Sequence, residues 1–138
     1  MNLIVYFGHN KDILKIVSKF KKDYEASIYE IETITPITFF TKYKNQNVEI
    51  KRCNLNLNAY DTVIIVSEMW RDEVPSPVIR FLEQSTGKIK KSIYILYNNN
   101  KEDKPKEFDK MDKILNLKRI KSFFVTLNKK DIHVRVYQ

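Results

Sequence analysis

The sequence predicts an α/β protein, a doubly wound and mostly parallel sheet with helices on both faces, forming one domain over residues 1–138. Three observations predict it. Short apolar runs of β-forming residues recur at 3–7 (LIVYF), 62–66 (TVIIV) and 92–97 (SIYILY), the pattern of strands buried on both faces. Between them lie segments whose apolar residues return at helical spacing. Strand and helix alternate, and parallel neighbours need such helical crossovers.

The first strand is expected at 3–7. After Gly8-His9-Asn10-Lys11-Asp12 the period changes, and Ile13, Leu14, Ile16, Val17 and Phe20 mark a helix with Asn10 or Asp12 as N-cap. Residues 27–31 (SIYEI) alternate and predict a second strand. Residues 33–59 are the least legible stretch; Pro36 can open a short helix through Phe39, Phe40 and Tyr43, and Val48-Glu49-Ile50 can be a short extended piece. The run 62–66 is the strongest strand, followed by a polar loop over 67–73 and a helix in which Pro77 suits the first turn. That helix carries Val78, Ile79, Phe81 and Leu82 and stops by Gly87. Strand 92–97, a charged loop, a helix near 105–117 and a fifth strand at 122–127 (SFFVTL) follow. Residues 131–137 (DIHVRVY) alternate at period two and predict a sixth strand or hairpin in place of a final helix.

Composition narrows the function. Lys+Arg number 25 against 17 Asp+Glu, a net charge of +8, and there are two glycines where average usage near 7% would give roughly ten. A chain so poor in glycine has few places where backbone can approach a phosphate closely. Cys53 is the single cysteine and the two histidines, His9 and His133, are far apart, so no Cys/His metal spacing exists and no metal site is expected. Nothing near Cys53 in sequence looks like a base, which favours a small buried residue over a nucleophile. No apolar run approaches the roughly 20 residues of a membrane span, and the start MNLIVYFGHN has no charged region followed by a small-residue cleavage site. A cytoplasmic protein without membrane association is expected.

In doubly wound sheets ligands sit outside the C-terminal strand ends at the topological switch point. The loops at 8–12, 67–73 and 98–103 are therefore the candidate site. Residues 60–70 (YDTVIIVSEMW), continuing through 75–82 (PSPVIRFL), resemble the flavodoxin family in a YD-led apolar strand, a Ser-x-x-Trp loop, a proline-bearing turn and a helix ending near Phe-Leu. The order of elements agrees, and the resemblance extends loosely from residue 1 to about residue 127. It implies a three-layer flavodoxin-like fold of about five parallel strands, FMN as cofactor and electron transfer as function. In that family the loops after the third and fourth strands hold the flavin ring between aromatic side chains. By position the resemblance implies Trp70 and Tyr97 as ring contacts, Ser67 and the Asn98-Asn99 backbone as polar contacts at the ring edge, Met69 in the same loop, and Gly8, His9, Asn10 and Lys11 around the phosphate. Such a protein needs no catalytic acid or base, because the flavin performs the chemistry.

The sequence departs from this family in four places. The first loop lacks the hydroxyl residues that wrap the phosphate there and has Ile13 where a threonine is usual. The fourth-strand loop offers Asn98-Asn99-Asn100 where glycine is common; asparagine tolerates positive φ best after glycine. The net charge is positive where electron-shuttling flavodoxins are acidic, which implies a redox partner with an acidic docking surface. The lysines are dispersed beside element ends, as in Lys19-Phe20-Lys21-Lys22 and Lys88-Ile89-Lys90-Lys91, so solvated faces account for them better than a nucleic-acid surface. Finally, the absent last helix leaves part of one sheet face needing cover, for which a homodimer is one solution. Structural roles compete throughout: Trp70 can pack on the Pro75 turn, Tyr97 can be core, and Asn10-Lys11-Asp12 can be a capped helix start. A cofactor-free flavodoxin-like domain acting as an interaction or structural module is the alternative function. A receiver-type signalling domain fits poorly, since Gly8-His9 and Val66-Ser67 stand where it needs acidic residues.

Overall fold

A computed structural model describes residues 1–97, 103–128 and 131–137. Among the described residues six strands, β1 (Asn2–Phe7), β2 (Ala26–Glu30), β3 (Thr62–Glu68), β4 (Ser92–Tyr97), β5 (Lys121–Leu127) and β6 (Ile132–Tyr137), are accompanied by four α-helices. These are α1 (Lys11–Tyr24), α2 (Phe39–Lys44), α3 (Ser76–Ser85) and α4 (Lys106–Leu115). The strands form one sheet in the order β2-β1-β3-β4-β5-β6, parallel except for the antiparallel pair β5-β6. The order 2-1-3-4-5 is the flavodoxin-like arrangement, whose switch point lies between β1 and β3.

Alternation along each strand divides the apolar residues between two faces. On one face Ile4, Tyr6, Ile64, Val66, Ile93 and Ile95 meet the Ile13, Ile16, Val17 and Phe20 stripe of α1. On the other, Leu3, Val5, Ile65, Tyr94, Leu96 and Phe124 pack against α3 and α4 through Val78, Phe81, Leu82, Phe108, Met111 and Leu115. The stripes follow the spacing read from sequence except at Leu14, which is 53% exposed because it falls off the face that Ile13, Ile16, Val17 and Phe20 turn to the sheet. Strand β6 takes the place of a final helix: Val136, Val134 and Ile132 pair with Phe123, Val125 and Leu127. Its row on the α1 face reaches solvent, and Val136 is 58% exposed.

One expectation changes. Strand β3 runs two residues past Val66, because Ser67 pairs with Phe7 of β1 and Glu68 with Tyr97 of β4; a strand flanked on both sides continues through polar residues once its neighbours supply the ladder. In the obscure stretch, α2 forms behind a Thr38 N-cap, whose hydroxyl accepts from Thr41 N–H while the Thr41 hydroxyl accepts from Thr38 N–H. The short extended piece read at 48–50 forms an antiparallel bridge, Ile50 to Thr33, with Ile34 N–H on the Glu49 carbonyl and Lys51 N–H on the Glu32 carbonyl, and a 3-10 turn, Leu57–Ala59, leads into β3.

Candidate functional site

The cleft lies where the switch-point geometry puts it, above the C-terminal ends of β1, β3 and β4. It has a volume of about 560 Å3, within the range of small-molecule sites. Its floor is formed by His9, Asn10, Glu68 and Tyr97, and its walls by the turn Met69–Asp72 and by Phe39, Lys42 and Tyr43 of α2, which meet where Arg71 lies over Tyr43.

The floor is organised by a buried carboxylate. Glu68 is 8% exposed and, like Ile64 and Val66, points to the α1 face. Its Oε1 accepts the backbone N–H of His9 at 2.8 Å and of Asn10 at 3.3 Å, and its Oε2 accepts the Trp70 indole N–H at 2.8 Å. Charge-assisted bonds of this kind are what allow a carboxylate to leave water. Gly8 makes the approach possible: a Cβ there would stand 3.0 Å from Glu68 Oε1 and 3.0 Å from Ile13 Cγ1. The glycine is needed for closeness and not for backbone twist.

Asn10 is the N-cap of α1, its side chain accepting from Asp12 N–H at 3.0 Å. Tyr97 donates its hydroxyl to Asp12 Oδ2 at 3.1 Å. Burial first, then the bond to Asp12 and the charges of Asp12 and Glu68, push the Tyr97 phenol up to about 12.

The Trp70 wall is a tight turn. Trp70 and Glu73 exchange backbone hydrogen bonds, and Arg71 and Asp72 between them sit at φ of 50° and 64°, the conformation of a type I′ turn without its usual glycine. Left-handed backbone at two such residues costs on the order of 1 kcal/mol or more each and is concentrated at functional sites. It sets the Arg71 guanidinium 4.2 Å from the Tyr43 ring centroid and brings it to the Tyr43 carbonyl. Trp70 itself is 3% exposed and meets Phe7 edge to face at 5.6 Å.

Helix α2 is tied to the segment just after that turn by Asn45, its C-cap at φ of 47°. The Asn45 amide donates to the Val74 carbonyl at 3.0 Å and accepts from Ser76 N–H at 2.8 Å. This leaves Phe39 80% and Phe40 62% exposed beside the cleft, with Phe39 stacked on Tyr43.

Of the residues singled out in the sequence, the structure brings His9, Asn10, Met69, Trp70 and Tyr97 to the cleft, with Gly8 directly beneath. Lys11 opens α1 as an exposed residue outside the lining. Ser67 is a correction: it belongs to β3 and not to a loop, is fully buried, and donates its hydroxyl to the Glu68 carbonyl at 2.6 Å. Asn98 and Asn99 lie outside the described residues. Sequence reasoning missed the roles of Glu68, Tyr43, Arg71 and Asn45. Glu68 had a signal, since period two puts it on the face of Ile64 and Val66 and under the first loop. Among the described residues no His/Cys/Asp/Glu cluster could hold a metal ion, and no helix is long and apolar enough to cross a membrane.

A doubly wound sheet in flavodoxin order with an aromatic-walled cleft at its switch point defines a flavodoxin-like protein by fold. Solved structures share that fold. A candidate flavoprotein from Bacteroides eggerthii matches with a TM-score of 0.75 at 20% identity over 94% of this chain and 89% of its own. A flavoprotein from Lactobacillus acidophilus, in complex with FMN, matches with a TM-score of 0.71 at 16% identity over 91% of both chains. A candidate flavoprotein from Bacteroides uniformis also gives 0.71 at 16% identity, over 91% of this chain and 89% of its own. At these identities the likeness establishes the fold. No protein-family model matches the sequence, and no curated protein matches it.

Proposed function

We propose that the cleft binds a flavin, FMN in the first instance, and that the protein takes part in electron transfer. The observation behind this is the pairing of an aromatic cleft at the switch point with a shared fold whose Lactobacillus acidophilus representative is an FMN complex. Trp70, Tyr97, Tyr43 and Phe39 all border the cleft; Trp70 and Tyr97 are buried and the Tyr43 ring already carries Arg71 and Phe39, so the exposed Phe39 is the aromatic ring most open to a flat ligand, and an aromatic contact contributes roughly 0.5–1.5 kcal/mol beyond area burial. When bound, a flavin supplies one- and two-electron redox chemistry, and the protein supplies orientation, exclusion of water and hydrogen bonds. No residue is needed as a catalytic acid or base.

A redox partner with an acidic surface is the partner this reading favours, because exposed Phe39 and Phe40 stand beside Lys42, Lys44 and Arg71 at the cleft rim. A second reading, a cofactor-free interaction module, is favoured by one observation: the amides of His9 and Asn10 already hold Glu68. The protein has a single tryptophan, and it lines the cleft, so titration with FMN separates the two readings. Quenching of Trp70 emission together with quenching of flavin fluorescence supports flavin binding. An unchanged signal at tens of micromolar FMN leaves the interaction module.

A further inference from the structure

We infer that Glu68 sets the selectivity of the cleft, filling its anion-binding end with the chain's own carboxylate so that a bound flavin is held by its ring and gains little from a phosphate. This rests on the flavin reading for the ligand's identity, while the part played by Glu68 rests on geometry alone.

The start of a helix attracts an anion because its first N–H groups lack intrahelical acceptors. Around the start of α1 four amide N–H groups are already engaged. His9 and Asn10 N–H converge on Glu68 Oε1 at 2.8 and 3.3 Å, Asp12 N–H reaches Asn10 Oδ1 at 3.0 Å, and Ile13 N–H reaches the Asn10 carbonyl at 3.1 Å. Glu68 cannot withdraw freely, since its second oxygen is fixed by the Trp70 indole at 2.8 Å and Ile64 and Val66 lie behind it in the same strand. Gly8 leaves only enough room for the carboxylate to approach, with 3.0 Å between Oε1 and a hypothetical Cβ.

A phosphate brought to this place would have to take the amides from a buried carboxylate and remain beside its charge. Asp12, held by Tyr97 at 3.1 Å, adds a second negative group on the same helix turn. Like charges in a partly buried site raise each other's free energy. The ligand class the floor favours is therefore a flat heteroaromatic ring with an uncharged polyol tail, as in riboflavin. FMN binds through the same ring without the usual gain from its phosphate.

The test measures FMN and riboflavin, which share the ring and differ in the phosphate, against the wild-type protein and Glu68→Gln by fluorescence titration. In the wild type the two dissociation constants should lie within about three-fold, and in Glu68→Gln, whatever the change in ring affinity common to both ligands, the preference for FMN over riboflavin should rise by about ten-fold or more. A wild type that prefers FMN by about ten-fold or more, or a Glu68→Gln protein with an unchanged ratio, overturns the inference. A second arm uses inorganic phosphate and the amide resonances of His9 and Asn10. Those resonances should stay fixed in the wild type and move in Glu68→Gln and Glu68→Ala; movement in the wild type overturns the inference without recourse to any variant. If the wild type takes neither flavin, the flavin reading fails by itself, and the phosphate arm still decides what Glu68 does.

Discussion

The indole N–H of Trp70 donates to the carboxylate of Glu68 at 2.8 Å, joining the wall of the cleft to its floor. The bond gives Trp70 a polar task in addition to its packing on Phe7. Trp70→Phe keeps much of the ring but removes the donor, leaving one oxygen of a buried carboxylate without its partner. A hydrogen bond to a charged group contributes about 1.5–3 kcal/mol, so Trp70→Phe should lower unfolding free energy by about 2 kcal/mol in urea denaturation. A loss below about 0.5 kcal/mol would show that the bond contributes little.

The two glycines make a paired test of why each is there. Gly87 stands at φ of 80° with nothing within 4 Å of a hypothetical Cβ, so Gly87→Ala should cost only the left-handed backbone, about 1–2 kcal/mol. Gly8→Ala instead drives a methyl against Glu68 Oε1 and Ile13 Cγ1. Overpacking costs typically 1–3 kcal/mol, and here it pushes on the groups that hold the first loop. Thermal unfolding should show both variants destabilised, but only Gly8→Ala should shift the amide resonances of His9 and Asn10. Equal silence at those amides in both variants would remove the close-approach account of Gly8.

How much of this was legible follows from where each element gets its order. Residues 62–66 and 92–97 read as strands because burial on both faces demands uninterrupted apolar side chains, and α1 and α4 read as helices because one stripe of each faces the sheet. The sixth strand was legible from alternation alone, since a half-covered edge strand keeps polar residues on one side. The two polar residues closing β3 read as loop, because their place in the ladder depends on Phe7 and Tyr97, distant in sequence. Helix α2 was only half visible: Phe39 and Phe40 point to solvent, so no apolar stripe marks its inner face, and tertiary bonds hold it. As a result the β-strand side of the cleft could be anticipated and the wall built by Tyr43 and Arg71 could not.

Asn45 is the test of that wall. It supplies a left-handed C-cap that asparagine tolerates better than most residues, and its amide bonds to both Val74 and Ser76. Asn45→Ala loses two hydrogen bonds of about 1 kcal/mol each and adds backbone strain, so a global loss of about 2 kcal/mol is expected. Hydrogen exchange over residues 39–44 should speed up more than exchange over β3 or β4. Uniform acceleration across the sheet would mean that α2 is not separately anchored by this residue.

Tyr97 makes stability fall in alkali. Burial, the bond to Asp12 and the neighbouring carboxylates push its phenol up to about 12, against about 10 in the unfolded chain. The sign follows from proton counts: between pH 10 and 12 the unfolded chain gives up this proton while the native state keeps it. Where the native state binds more protons, stability falls as pH rises. The contribution is therefore intact below about pH 10 and is lost toward pH 12, at up to roughly 1.4 kcal/mol per pH unit. Tyr97→Phe has no such proton and no bond to Asp12. It should be less stable than the wild type near pH 8 by about 1 kcal/mol, and the gap should close and then reverse as denaturant titrations are repeated toward pH 11.5. A gap that stays constant across that range would place Tyr97 in contact with solvent and not beneath the cleft.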